Sequence, residues 1–202
     1  MNKIGIFGGT FDPVHNGHLL LAEEVLEQAD LDKVLFMPTR IQPFKQDLRV
    51  SSAEDRLGML SVAVNGNDAL GITEVETERR EVSYTIHSLY RLRAMLGEEA
   101  EVCFIVGSDM FPNMDKWYRA GELLREFPVV VGLRPGSDGR VGDCARRLAA
   151  EYGADVVTVR NRMFDVSSTD IKARVRMGRS IRYLVPDGVR EYIYAAKLYA
   201  ED

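Results

Sequence analysis

Short, nearly continuous apolar runs recur along this chain, and longer segments with helix-like apolar spacing separate them. The runs are Lys3–Phe7, Lys33–Met37, Gly71–Val75, Glu101–Val106, Phe127–Leu133 and Asp155–Val159. The segments Gly17–Gln28, Ser52–Val64, Ser83–Leu96 and Gly142–Tyr152 carry the 3.6-residue spacing of amphipathic helices. Strands alternating with helices of this length imply βαβ crossovers and parallel pairing. Stretches such as Val129-Val130-Val131 read as strands buried on both faces. The expected fold is therefore α/β: a Rossmann-like, doubly wound, mainly parallel sheet with helices on both faces. A mostly helical segment follows from about residue 167, with Arg174, Arg176, Arg179 and Arg182 on its exposed positions. With 202 residues and no long Pro/Gly/Ser linker, residues 1–202 read as one domain.

Charge and cysteine content narrow the function classes. A net charge of −5 argues against a nucleic-acid-binding role, which calls for a basic stripe. It leaves room for a small anionic ligand, because local field governs a cleft. Two cysteines, Cys103 and Cys144, suggest no disulfide framework and fit a reducing compartment. No stretch is long enough to span a bilayer, and the first apolar run is too short for a signal peptide. A cytoplasmic location is the expectation, and a homodimer is one assembly the sequence leaves open.

The strongest chemical signal lies directly after the first strand, in Gly8-Gly9-Thr10-Phe11-Asp12-Pro13-Val14-His15-Asn16-Gly17-His18. In open α/β sheets ligands bind beyond the carboxyl ends of the strands, where this loop falls. Gly8 and Gly9 allow backbone N–H groups to approach a phosphate. Gly17 leaves room for a bulky ligand over the first helical turn. His15 and His18, three residues apart at a helix start, share one side. That helix end already favours anions. The pattern is neither the dinucleotide G-x-G-x-x-G nor a Walker A loop. A closed zinc site would need further ligands, and only His87 and two separated cysteines remain.

Thr10-Phe11-x-Pro13-x-His15-x-Gly17-His18 resembles the signature of the nucleotidyltransferase superfamily, which attacks the α-phosphate of a nucleoside triphosphate and releases pyrophosphate. Further segments resemble the nicotinate-nucleotide adenylyltransferases in that family's order. They are Ser83-Tyr84-Thr85-Ile86, Gly107-Ser108-Asp109, Lys116-Trp117-Tyr118-Arg119, Val166-Ser167-Ser168-Thr169-Asp170-Ile171, and the run Ile181–Ile193. The likeness covers nearly the whole chain.

This resemblance implies an enzyme joining ATP and nicotinate mononucleotide into nicotinate adenine dinucleotide, by in-line displacement without a covalent intermediate. It implies catalytic roles for His15, His18 and Lys45. ATP would be held by Gly8, Gly9, Thr10, Phe11, His15, His18, Gly107, Asp109, Ser167, Ser168 and Thr169. The mononucleotide would meet Lys45, Tyr84, Thr85, Asp109, Trp117 and Tyr118, its pyridine ring stacking on Trp117. Mg²⁺ is expected to arrive with ATP, held by few protein ligands.

Taken alone, these residues have plainer readings: a core aromatic for Trp117, a helix cap for Asp109 or Ser167, a solvated loop cation for Lys45. Phe164 is open to two assignments, an interface or the adenine pocket. Three departures from the family pattern stand out. Gln42-Pro43-Phe44-Lys45 replaces Pro-Pro-His-Lys, Ile171-Lys172 replaces Ile-Arg, and His87 replaces a common acidic residue. Lys172 keeps charge without a guanidinium fork, a real change at a phosphate. Within the superfamily, pantetheine-phosphate adenylyltransferase is the nearest alternative. From a different class, the alternative is a sensing module that binds ATP without transferring.

Overall fold

The computed structural model describes residues 2–39, 50–77, 84–97, 99–134, 136–162 and 164–200. Among these residues six strands form one sheet: β1 (Asn2–Gly9), β2 (Lys33–Pro38), β3 (Leu70–Ile72), β4 (Ala100–Gly107), β5 (Val129–Leu133) and β6 (Val156–Arg160). Their spatial order is β3-β2-β1-β4-β5-β6, and every pairing is parallel. This is the doubly wound order, in which the direction of winding reverses between β1 and β4. The central strands explain themselves: Ile6 pairs with Leu35 on one side and Phe104 on the other, and residues 4–7 and 102–106 are buried throughout.

The helices divide between the two faces. On one face, α3 (Thr85–Leu96), α4 (Ala120–Glu126) and α5 (Asp138–Tyr152) bury Ile86, Leu89, Leu123, Leu124, Val141 and Leu148 against Ile6, Phe104 and Val131. On the other, α1 (Asn16–Gln28) and α2 (Ala53–Val64) pack with α6 (Ser168–Arg176) and α7 (Asp187–Ala195). They enclose Phe7, Phe36, Ile105, Ile171, Val189 and Ile193. Ser52 caps α2 by accepting from the Asp55 N–H, as its position in the sequence suggests.

Three boundaries and the exposure of one arginine differ from the sequence pattern. β5 starts at Val129, because Phe127 closes α4 and Pro128 has no N–H to offer a ladder. β3 is only three residues long, and the chain then turns at Val75–Thr77. α5 begins a turn earlier than its apolar stripe, Val141, Cys144 and Leu148, requires. Arg174 is half-buried rather than exposed, donating from Nε to the Ser180 carbonyl at 2.9 Å. The pattern also missed a 3₁₀ segment at Phe111–Lys116 and the short α4, too brief to show a period. Among the described residues no helix is long and apolar enough to cross a membrane.

Candidate active site at the carboxyl ends of β1 and β4

The loop after β1 is held from inside the protein before it reaches its histidines. Arg56, on the buried stripe of α2 with Met59 and Leu60, is 1% exposed. Its Nη1 donates to the carbonyls of Thr10 (2.9 Å) and Thr39 (2.6 Å), and its Nε to that of Ser51 (3.2 Å). A buried guanidinium of this kind satisfies three backbone acceptors at once. Phe11 is a non-glycine residue at φ 50°, and its buried ring meets Phe7, Phe36 and His18 edge-on. Any contact between Phe11 and a ligand would therefore come from its backbone. The Asp12–Pro13 peptide bond is cis. Asp12 itself is buried, accepting from the Lys172 ammonium at 2.9 Å and the Tyr199 hydroxyl at 2.6 Å. Burial works against its charge, but the Tyr199, Lys172 and Ser51 hydrogen bonds prevail and hold the carboxyl below its ordinary range.

His15 and His18 lie at the start of α1 with rings stacked, centroids 3.6 Å apart and planes 15° from parallel. The His15 N–H donates to His18 Nδ1 at 3.3 Å, so a neutral His18 carries its proton on Nε2. Phe11 braces that ring from the side at 5.0 Å. Burial, then the positive charge of Arg134, lowers the His15 pKa to about 4. Burial, His15 and Arg134 push His18 well down as well. Both imidazoles are neutral at pH 7. His15 Nδ1 is buried and finds no hydrogen-bond partner among the described residues.

The glycines of this loop are closely packed where a side chain would stand. A Cβ at Gly9 would lie 2.7 Å from the Phe11 ring, and one at Gly8 2.9 Å from Phe104. At Gly17 it would meet Val166 at 2.9 Å and the His15 ring at 3.2 Å. The room that the sequence reading gave to a ligand over Gly17 is filled by protein. Gly107 differs: a Cβ there meets nothing within 4 Å among the described residues, so the end of β4 opens on free space.

Across that space, Asp109 pairs with Arg134 at 2.7 Å, both more than half exposed, beyond the ends of β4 and β5. Between them Ser108 is fully buried, its hydroxyl accepting from the Arg134 N–H at 3.3 Å. From the α1 side, Ser167 caps α6 by accepting from the Asp170 N–H at 3.1 Å. The Ser168 hydroxyl donates to the Pro13 carbonyl at 2.9 Å. Thr169 is exposed on the first turn of α6. The start of α6 is thereby joined to the histidine loop. Lys172, expected near a phosphate, is instead spent on Asp12.

On the opposite face of the sheet Trp117 closes the 3₁₀ segment, half-buried and edge-on to Phe104 at 5.8 Å. Phe104 is also the ring nearest Gly8, so one side chain links Trp117 to the first loop. Tyr84 and Tyr118 lie partly exposed with centroids 4.3 Å apart, and His87 is edge-on to both. Thr85 opens α3 beside them. Phe164 is 37% exposed. Lys45, with Phe44, Gln42 and Ser83, lies outside the described residues.

Sequence reasoning passed over Arg56, Asp12, Arg134 and Tyr199. Arg56 had a signal, an arginine at the i position of the apolar stripe completed by Met59 and Leu60. Tyr199 had none, since its partner lies 187 residues away. Among the described residues no group of three or more His, Cys, Asp or Glu gathers to hold a metal.

Comparison with known proteins agrees with this fold. The cytidylyltransferase-like family matches residues 6–174. The nicotinate-nucleotide adenylyltransferase of Bacillus subtilis (strain 168) is 39% identical over 98% of this chain and 99% of its own. A protein of Geobacillus kaustophilus named "Probable nicotinate-nucleotide adenylyltransferase" is 44% identical over 98% of this chain and 87% of its own. In fold, the chain is similar to the Plasmodium falciparum nicotinic acid mononucleotide adenylyltransferase complexed with NaAD. That match has a TM-score of 0.80 at 16% identity and covers 98% of both chains.

Proposed function

Because the chain belongs to the cytidylyltransferase-like family and, within it, to the nicotinate-nucleotide adenylyltransferases, we propose that it joins ATP to nicotinate mononucleotide, giving nicotinate adenine dinucleotide and pyrophosphate. The observation that carries this reading is the stacked His15–His18 pair at the winding reversal between β1 and β4. Arg134 lies within electrostatic reach of the pair, and the start of α6 is joined to its loop.

In this mechanism an oxygen of the mononucleotide 5′-phosphate attacks the α-phosphorus of ATP in line. The bond from that phosphorus to the bridging oxygen breaks, and pyrophosphate leaves with the electron pair. The attacking phosphate is already ionised near neutrality, so no general base is required. The protein aligns the reactants and stabilises charge. His18 offers its Nε2–H to the phosphate oxygens, Arg134 supplies fixed positive charge, and the first turns of α1 and α6 present N–H groups. Asp109 and Gly107 take the ribose side, with Thr10, Ser167, Ser168 and Thr169 beside the triphosphate. Lys45 is assigned to the phosphates from its sequence position. Trp117, with Tyr84, Thr85 and Tyr118, takes the pyridine ring and its carboxylate on the other face.

The residues present fit a Mg²⁺ carried in by the triphosphate. Asp12 and Asp109, the carboxylates at these strand ends, are each already paired with a cation. When bound, Mg²⁺ would neutralise phosphate oxygens.

Pyrophosphate release with ATP and Mg²⁺ tests this directly, with nicotinate mononucleotide, nicotinamide mononucleotide and phosphopantetheine as acceptors. Release is expected with the nicotinate acceptor and is expected to fall at least about a hundredfold in His18→Ala. Release with phosphopantetheine alone would overturn the substrate assignment. Tight ATP binding without release from any acceptor would favour the sensing module.

A further inference from the structure

We propose that Tyr199 is a positioning residue for adenylyl transfer, fixing the loop of residues 10–13 through its hydroxyl bond to the buried Asp12. Asp12 is 3% exposed and has both carboxylate oxygens engaged. Oδ1 accepts from the Tyr199 hydroxyl at 2.6 Å, and Oδ2 from the Lys172 ammonium at 2.9 Å. The loop residues around it are tied down independently, Thr10 by Arg56 and Pro13 by Ser168. The loop is thus anchored at positions 10, 12 and 13 from α2, from α6 and from the segment after α7, and it leads straight into the stacked histidines.

The segment after α7 is shaped for this reach. Lys197 and Tyr199 both adopt left-handed backbone conformations, at φ 53° and 64°. L residues hold such conformations only where surrounding contacts impose them. The Lys172 ammonium also lies 5.8 Å over the Tyr199 ring, joining the three groups into one cluster. Removing one anchor would let the loop relax, and small displacements of catalytic groups cost rate steeply.

The cluster also depends on the charge of Asp12, since protonation would break its ion pair with Lys172. The groups facing Asp12 are Lys172 from α6, Tyr199, Ser51, and Arg56 from α2, while Asp55 faces Tyr199. Burial opposes the carboxylate, and the Tyr199 and Lys172 hydrogen bonds overcome it. Without the Tyr199 hydroxyl, burial would drive the Asp12 pKa upward.

Only the kinetic readout of this inference rests on the adenylyl-transfer reading. The test compares Tyr199→Phe, Asp12→Asn, the double variant and Tyr194→Phe, the last changing a tyrosine that is 50% exposed on α7. Tyr199→Phe is expected to lower kcat roughly tenfold and to move the acid limb of the rate profile to higher pH than in the native enzyme. The double variant has no carboxyl to titrate at this position and should lose that displacement. Asp12→Asn should show the kcat loss without it, and it serves if Tyr199→Phe fails to fold. Amide exchange at residues 10–15 should quicken in Tyr199→Phe and Asp12→Asn but not in Tyr194→Phe. Native kcat, pH profile and exchange in folded Tyr199→Phe or Asp12→Asn would overturn the proposal, as would lowered thermal stability alone. If the native protein releases no pyrophosphate, the function reading fails and amide exchange decides the role of Tyr199 by itself.

Discussion

At the scale of single residues, the site works by crowding. Gly17 is where this shows most clearly, because the absence of one methyl lets the His15 ring and Val166 close over the first turn of α1. Gly17→Ala is expected to destabilise the protein by about 1–3 kcal/mol through overpacking. Pyrophosphate release should fall with it, because the His15 ring, 3.2 Å from the added methyl, must give way along with Val166. Denaturant unfolding beside the transfer assay measures both, and native values in each would show that the neighbours yield freely. The motif was legible in the sequence as a set of residue types. The reason for its glycines was not, because Phe104 and Val166 fill that space from separate parts of the chain, and Phe11 folds back on Gly9 through a left-handed backbone.

At the scale of elements, α6 joins the two halves of the fold. Its cap is local and readable, since Ser167 accepts from the Asp170 N–H three residues on. Ser167→Ala should cost about 1 kcal/mol of stability, read as a lower thermal midpoint. Transfer activity should drop further than the midpoint implies, because the same turn carries Ser168 onto the Pro13 carbonyl. A midpoint that does not move would remove the cap from this account. The α-helical and strand elements with strong periods were readable, β1, β2, β4 and α1 to within two residues at each end. The 3₁₀ segment and α4 were not, because six or seven residues cannot display a helical period.

At the scale of the whole molecule, folding places two histidines where they resist protonation. The folded His15 titrates at about 4, against an ordinary value near 6.5. Between those values the unfolded chain binds the proton and the folded one does not, so stability rises with pH across that window. Stability should be level above about pH 6.5 and decline as pH falls to about 4. The loss attributable to His15 is on the order of 3 kcal/mol. His18, lowered in the same direction, adds to it. His15→Asn should flatten the decline in chemical denaturation series run across pH, and an unchanged slope would show that other groups set it. Bound polyphosphate should oppose the effect, since negative charge beside the rings favours their protonated forms.

The sequence alone determined the alternation of strand and helix, hence the doubly wound sheet, and the one loop whose residue types suit a triphosphate. Those features repeat or cluster over a few residues, and local geometry translates them directly. Only the tertiary structure decided how that loop is held. Lys172 reads as a phosphate ligand in its own helix, yet a buried Asp12 claims it, because an unpaired carboxylate in the interior is too costly to leave. Arg56 and Tyr199 are ordinary residues of a helix and a closing segment until folding brings them onto Thr10 and Asp12. Contacts across 46 and 187 residues leave no periodic trace in the chain, because they are selected by burial and by the need to satisfy every buried polar group.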